Sequence, residues 1–226
     1  MIKLNLFVEQ QQYGNKIILR GINQSYDIGK IHGVLGENGA GKTTLFHCMS
    51  NLIVYKGKQM IPDTLSFGYL PAELYIYSMI TGEEFLRFYV TAKGCKYDIT
   101  EKNKLNDFFE LPLNEYAETY STGMLKKLYL FGLILQHNDL LLLDEPFNGL
   151  DFVSSAFITA VIQHQKEDGK TIFVASHDMN HLFSYADTLS VIGNKKLAYY
   201  NNNEEFQSVK ASIEAEAKSK VQLAFK

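Results

Sequence analysis

Two rhythms of apolar and polar positions alternate along the chain. Over residues 4–8 and 16–22 apolar and polar side chains alternate among β-branched and aromatic types, which predicts two antiparallel strands joined through a turn at Gln11-Gln12-Tyr13-Gly14-Asn15. A second turn, Asp27-Ile28-Gly29-Lys30, delivers an apolar strand over 31–35, followed by an amphipathic helix over 42–52. Residues 55–58 read as a hairpin edge and 65–71 as a buried strand ended by Pro71. Helical spacing then takes over from 80 to 117, with Phe85, Leu86, Phe88 and Tyr89 on one segment and Leu105, Phe108 and Phe109 on another. Thr81 starts the first of these, placing Glu83 and Glu84 at the positive end of the helix dipole. The aromatic stripes suit a core, with a partner-binding groove as the alternative.

Further along, Leu128, Leu133 and Leu135 give a helix over 125–136 a buried face. Leu140-Leu141-Leu142-Leu143 is a continuous apolar run of the kind that forms a central parallel strand covered on both faces. A helix over 153–167, a strand over 171–176, and a hairpin over 188–192 and 196–200 around Gly193-Asn194 complete the pattern. The stretch from Asn201 reads as a charged helix, expected to be solvated, with a docking tail as the alternative. The prediction is an α/β fold with a mainly parallel sheet, an N-terminal antiparallel β subdomain and a helical insertion over roughly 73–135. One domain is expected over 1–226, with a tail helix over 203–226.

Chemistry concentrates at three places. Gly36-Glu37-Asn38-Gly39-Ala40-Gly41-Lys42-Thr43 fits the phosphate-cradle pattern G-x-x-x-x-G-K-[ST], with a strand before it and a helix after it. Its glycines let backbone N–H groups turn inward around a phosphate, Lys42 reaches the outer phosphates, and the Thr43 hydroxyl is placed to ligate Mg²⁺. Asp144 and Glu145 end the four-leucine strand, at the sheet edge where ligands bind in open α/β folds; helix capping is their structural alternative. A triphosphate site needs one carboxylate to hold the metal and one group to position or deprotonate water, which favours the functional reading. His177 ends the next buried strand at the same edge, as a γ-phosphate or water contact. Ser121-Thr122-Gly123 before a helix is in isolation a cap, and Tyr13 is either a surface turn aromatic or a platform for a base.

Composition narrows the function. A net charge of −3 spread over interleaved residues, with no basic block, argues against a nucleic-acid partner. Two cysteines, Cys48 and Cys95, fit a reducing compartment, Cys48 as a buried free thiol. No apolar run approaches the roughly 20 residues that span a bilayer, so a cytoplasmic chain is expected, reaching a membrane only through a partner.

In order and spacing these pieces resemble the ATP-binding subunit of ATP-binding cassette (ABC) transporters over about residues 4–200. GENGAGKT is similar to the Walker A motif, YSTGM to the signature, LLLLDEP to Walker B, NGLD to the D-loop and SHD to the switch histidine. The resemblance implies a P-loop NTPase core binding ATP and Mg²⁺. Gly36, Asn38, Gly39, Ala40, Gly41, Lys42, Thr43 and Thr44 would wrap the phosphates and Tyr13 would stack on adenine. Thr43 and Asp144 would hold Mg²⁺, Glu145 would act as base and His177 would touch the γ-phosphate. The family works as a head-to-tail dimer, a homodimer or two different cassettes, in which Ser121 and Gly123 would serve the partner's nucleotide and Asp151 would lie across the interface.

Two departures from the family pattern stand out. Ala72, followed by Glu73, occupies the place of the usual metal-ligating Gln, and the signature carries Thr122 where Gly is commoner. The resemblance implies an ATPase driving a separate integral-membrane permease of exporter type, and hence a place on the inner face of the cell membrane. A soluble ATP-driven switch acting on ribosomes or nucleic acid is the alternative. The signature and D-loop disfavour a small-molecule kinase or GTPase.

Overall fold

In the computed structural model, which describes residues 3–58, 60–201 and 203–224, the two rhythms become two sheets. In chain order the first elements are β1 (Lys3–Tyr13), β2 (Lys16–Asp27), β3 (Ile31–Leu35), α1 (Lys42–Met49) and β4 (Lys56–Lys58). There follow β5 (Phe67–Leu70), α2 (Gly82–Thr91), α3 (Ile99–Phe109), α4 (Thr122–Leu135), β6 (Leu140–Asp144) and α5 (Phe152–Glu167). The chain closes with β7 (Thr171–Ser176), α6 (Met179–Phe183), β8 (Thr188–Gly193), β9 (Lys196–Tyr200) and α7 (Asn203–Ala224).

β1 pairs antiparallel with β2, from Leu4 opposite Tyr26 to Tyr13 opposite Lys16, and with β4 on its other side. The predicted five-residue turn is tighter than expected. Gln11 to Tyr13 stay in β1, whose register slips by a bulge between Gln11 and Gln12, and Gly14 turns the chain at φ 57°. The second sheet has the order β5-β6-β7-β3-β8-β9, parallel except for the antiparallel β9. Asn194 and Lys195, both at positive φ, make the tight β8–β9 turn. The Arg20 amide donates to Lys195 O at 2.8 Å, joining the two sheets there.

β3, β6 and β7 are buried at every position, which explains their unbroken apolar runs. Alternate residues feed opposite layers. Leu140, Leu142, Phe173 and Ala175 pack toward α1 and the antiparallel sheet, with Leu6, Val8 and Phe46. Leu141, Leu143, Ile172 and Val174 pack toward the helices, with Leu86, Phe131 and Ile158. Burying each of the larger of these side chains, Val, Leu, Ile or Phe, contributes about 1.5–3 kcal/mol.

The helical stretch departs from its expected bounds. It begins at Gly82, after an irregular segment, under a capping box in which the Thr81 hydroxyl accepts from the Glu84 amide and Glu84 returns the contact. Gly82 is required there, because a Cβ would lie 2.3 Å from the Tyr120 hydroxyl. Phe85, Leu86 and Phe109 are core, whereas Phe88 and Phe108 are exposed, so each stripe divides between interior and surface. The strand ending at Pro71 lies at the edge of its sheet, paired only with β6, and Phe67 and Tyr69 are half-buried. Leu70 packs toward the helices while Phe67 and Tyr69 pack toward α1 and the antiparallel sheet, so both faces are partly covered although the strand has a neighbour on one side alone. The expected solvated tail is also corrected: Phe206 and Val209 of α7 are buried, and Phe206 stacks on Phe183 with ring centroids 5.4 Å apart. Cys48 is a buried free thiol, as expected, and Cys95 is half-buried.

Candidate functional site

The glycine loop runs from the end of β3 into α1. Gly39 and Gly41 adopt φ of 79° and 110°, conformations that L side chains resist. At Gly36 a Cβ would press to 3.2 Å from both Ala40 Cβ and Ile192 O. Gly41 caps α1 with no side-chain acceptor, so the amides of the first helical turn face the loop with their positive partial charge free for an anion. Lys42 is 6% exposed, and its ammonium donates to Gly36 O at 2.8 Å and Glu37 O at 3.2 Å. The lysine thus bridges back over the loop it follows.

The C-terminal edge of β6 and β7 supplies the opposite wall. Thr43 Oγ1 donates to Asp144 Oδ2 at 2.5 Å. The same oxygen accepts from the Tyr69 hydroxyl at 3.4 Å, and that hydroxyl meets His47 Nε2 at 3.2 Å. Burial raises the Asp144 pKa above the ordinary carboxylate range; the Thr43 bond opposes the rise and neighbouring Glu145 adds to it. Glu145 Oε1 lies 3.1 Å from Lys42 Nζ, and Glu145 Oε2 lies 3.0 Å from His177 Nδ1. Glu145 sits at φ 48°, a left-handed conformation costing about 1–2 kcal/mol, held by its amide donating to Ala175 O at 2.9 Å. A cation beside one oxygen and an imidazole beside the other fix this carboxylate's direction.

Asp144 Oδ1 is buried without a hydrogen-bond partner among the described residues, and Glu145 Oε1 has its ion pair with Lys42 and no further partner there. Among those residues there is no cluster of three or more His, Cys, Asp or Glu side chains suited to a metal. A single buried carboxylate with spare acceptor capacity beside a threonine hydroxyl fits Mg²⁺, which is commonly held by one or two carboxylates together with substrate phosphates.

The other residues expected at the site stand apart from this group. Tyr13 ends β1 and is 51% exposed, a free aromatic face beside the turn. Ser121 is the N-cap of α4, accepting from the Met124 amide at 3.2 Å, and Asp151 is the N-cap of α5, accepting from Ser154 N at 2.7 Å. Gly123 packs so closely on α5 that a Cβ would reach Ser154 Oγ at 2.9 Å. The starts of α4 and α5 therefore form a second, mutually packed cluster.

Two contributions were not anticipated from the sequence. Tyr69, read only as strand, reaches Asp144; its signal was the alternation that turns Tyr69 and Phe67 to the same face of β5. Lys126, one of two adjacent lysines in α4, is 3% exposed and donates to Glu145 O and Asn148 O, both at 2.7 Å. Burial pushes its ammonium down to about 8, against the raising effect of Glu145 and Asp144. Helical periodicity places one of the pair inward and says nothing of which carbonyls it meets.

A glycine loop with a buried lysine facing two carboxylates and a histidine is the arrangement of a nucleotide triphosphatase, and the comparisons agree. Residues 19–148 match the family model described as "ABC transporter". An uncharacterized ABC transporter ATP-binding protein of Methanocaldococcus jannaschii is 29% identical over 89% of this chain and 78% of its own length. The linearmycin resistance ATP-binding protein LnrL of Bacillus subtilis is 28% identical over 81% of this chain, which spans 64% of that relative's length. A solved structure described as the ATP-binding subunit of an ABC transporter superposes with a TM-score of 0.79 at 23% identity, covering 92% of this chain and 93% of the other. With loop, carboxylates and fold in agreement, the chain belongs to the ABC transporter family as an ATP-binding cassette subunit, an ATPase coupled to transport.

Proposed function

We propose that this chain, a single cassette over 1–226, hydrolyses ATP to power a separate integral-membrane permease, exporter-type, through ATP-dependent head-to-tail dimerisation. The observation that carries the reading is the convergence of Lys42, Thr43, Asp144, Glu145 and His177 on one sheet edge. The loop amides and Lys42 bind the β- and γ-phosphates, drawing Lys42 away from its ion pair with Glu145. Thr43 and Asp144 hold Mg²⁺, whose charge, when bound, neutralises the phosphate oxygens. Freed from Lys42, Glu145 accepts the proton of the attacking water, while His177 orients the carboxylate and contacts the γ-phosphate. Tyr13 offers its exposed ring to adenine. Ser121 and Gly123, at a helix N-terminus, serve the nucleotide of the second subunit, with Asp151 across the interface.

Exposed Tyr75, Tyr77, Met79 and Phe88 support the permease contact. Tyr77 meets Tyr75 and Phe88 edge-to-face at 5.1 and 6.4 Å, making one apolar surface that includes the segment following Ala72. No helix among the described residues is long and apolar enough to cross a membrane, in keeping with a peripheral subunit held by its permease. The export direction is supported by likeness to a protein named for linearmycin resistance.

Glu145→Gln is the direct test. ATP binding persists, hydrolysis stops and an ATP-dependent dimer elutes from a sizing column; a monomer under every condition sinks the sandwich. Affinity capture from detergent-solubilised membranes should recover an integral-membrane protein, and recovery of ribosomes alone would transfer the chain to the soluble-switch class.

A further inference from the structure

Lys126 lies where the two clusters of the site meet. It follows Ser121 by five residues, about 7.5 Å along the axis of α4, so it moves rigidly with the signature end of that helix. Its ammonium is buried and spends two hydrogen bonds of 2.7 Å on the turn that carries the catalytic carboxylate, at Glu145 O and Asn148 O. Glu145 O also accepts from the Asn148 amide at 3.2 Å, so the ammonium closes a turn already bonded across its ends. That turn continues through Gly149, where a Cβ would sit 3.5 Å from Thr122 Cγ2, to Asp151 and the start of α5.

Both hydrogen bonds of the Lys126 ammonium go to residues outside the phosphate loop. A buried ammonium hydrogen-bonded to carbonyls is costly, and an apolar residue at this position of a leucine-rich helix would be the default. Its hydrogen bonds both go to backbone, so it specifies the path of the main chain at Glu145, including the left-handed φ of 48°.

We propose that Lys126 is a positioning residue which couples the signature end of α4 to the orientation of Glu145 in the same subunit. The inference rests on the proposed ATP sandwich. Nucleotide held by the partner subunit's loop docks on Ser121 and Gly123, α4 shifts as a rigid rod, and Lys126 carries that shift to the backbone of Glu145. Occupation of one site thereby sets the aim of the carboxylate at the other. The reactive groups themselves remain Glu145 and His177.

The test is a pair of variants with kcat, KM and nucleotide affinity measured separately. K126M keeps length and volume and removes the donors; K126Q restores an N–H₂ donor on a shorter stem. K126M lowers kcat at least tenfold with ATP affinity within twofold, and its Hill coefficient for ATP falls toward 1. K126Q lies between K126M and the parent. In a Glu145→Gln background, K126M still forms the ATP-dependent dimer, which separates positioning from binding. Should K126M fail to fold by circular dichroism, K126Q against the parent gives the same kcat-against-affinity split. The proposal is overturned if kcat stays within twofold of the parent, if affinity falls as much as kcat, or if K126Q rescues nothing. Failure of Glu145→Gln alone to dimerise would instead count against the sandwich, leaving the kcat split of Lys126 readable by itself.

Discussion

His177 Nδ1 stands 3.0 Å from Glu145 Oε2, while the other oxygen of the same carboxylate lies 3.1 Å from Lys42 Nζ. The two contacts pull on opposite ends of one group, so loss of the imidazole leaves the carboxylate to the lysine. His177→Ala should lower kcat about a hundredfold, the lower end of what a positioned acid–base group contributes, with ATP affinity little changed. Phosphate release and fluorescent-nucleotide titration, run side by side, check the split.

Asp144 carries a conflict between folding and activity. Its folded pKa lies above the unfolded value of 3.8, so the stabilising form is the protonated one. That stability is complete below the unfolded pKa and is lost as pH rises through the folded pKa, leaving the ionised group unfavourable at neutral pH. Asp144→Asn should therefore raise the melting temperature of the nucleotide-free protein at pH 7, by about 2–4 °C per kcal/mol recovered. Mg²⁺-dependent hydrolysis is lost in the same variant. A melting temperature below that of the parent would contradict the electrostatic reading.

A second titration acts in the opposite direction. His32 is fully buried among Tyr26 and Phe173, with Nδ1 2.7 Å from Thr188 Oγ1 and Nε2 2.8 Å from Asp27 O. Burial lowers its pKa from 6.5 to about 4, with the Asp27 carbonyl opposing. The neutral ring is the folded form, so its contribution, about 3 kcal/mol, is whole above pH 6.5 and disappears as pH falls toward 4. Urea midpoints across that interval should decline in the parent and flatten in His32→Gln.

Packing beneath the helices sets a third expectation. Phe109 is buried and stacks on Phe131 with centroids 4.6 Å apart at 11°. Phe109→Ala should cost about 3–5 kcal/mol, read from the urea midpoint.

The apolar surface of Tyr75, Tyr77 and Phe88 gives a prediction about coupling. Tyr77→Ser with Phe88→Ser removes two exposed rings, so stability and basal ATP hydrolysis should stay near the parent's while membrane recovery and transport fall. Unchanged transport would remove this surface from the permease contact.

Much of this architecture was legible because its signals are local. Four consecutive leucines ending in two carboxylates fit a strand covered on both faces, and Gly39 and Gly41 before Lys42 mark a backbone that L side chains resist. Thr81 with Glu84 announced a helix start that the capping box realises. What escaped were relationships carried by long-range position. An edge strand whose two faces are both partly covered reads like a central one over four residues, because only its pairing with β6 alone, a long-range fact, sets it apart. Phe206 and Val209 are two apolar residues in a charged helix, too few to outweigh their neighbours until Phe183 is seen opposite them. Tyr69 and Lys126 act through a carboxylate oxygen and two carbonyls that lie 75 and 19 or 22 positions away, and no spacing rule links such pairs.

The leucine strand that delivers the acidic pair is also the wall between two interiors. Leu141 and Leu143 belong to one and Leu140 and Leu142 to the other, so neither can melt while the strand stays ordered for its neighbour. Heat should therefore undo both layers in a single calorimetric transition, and the active edge inherits the rigidity of a beam loaded from both sides.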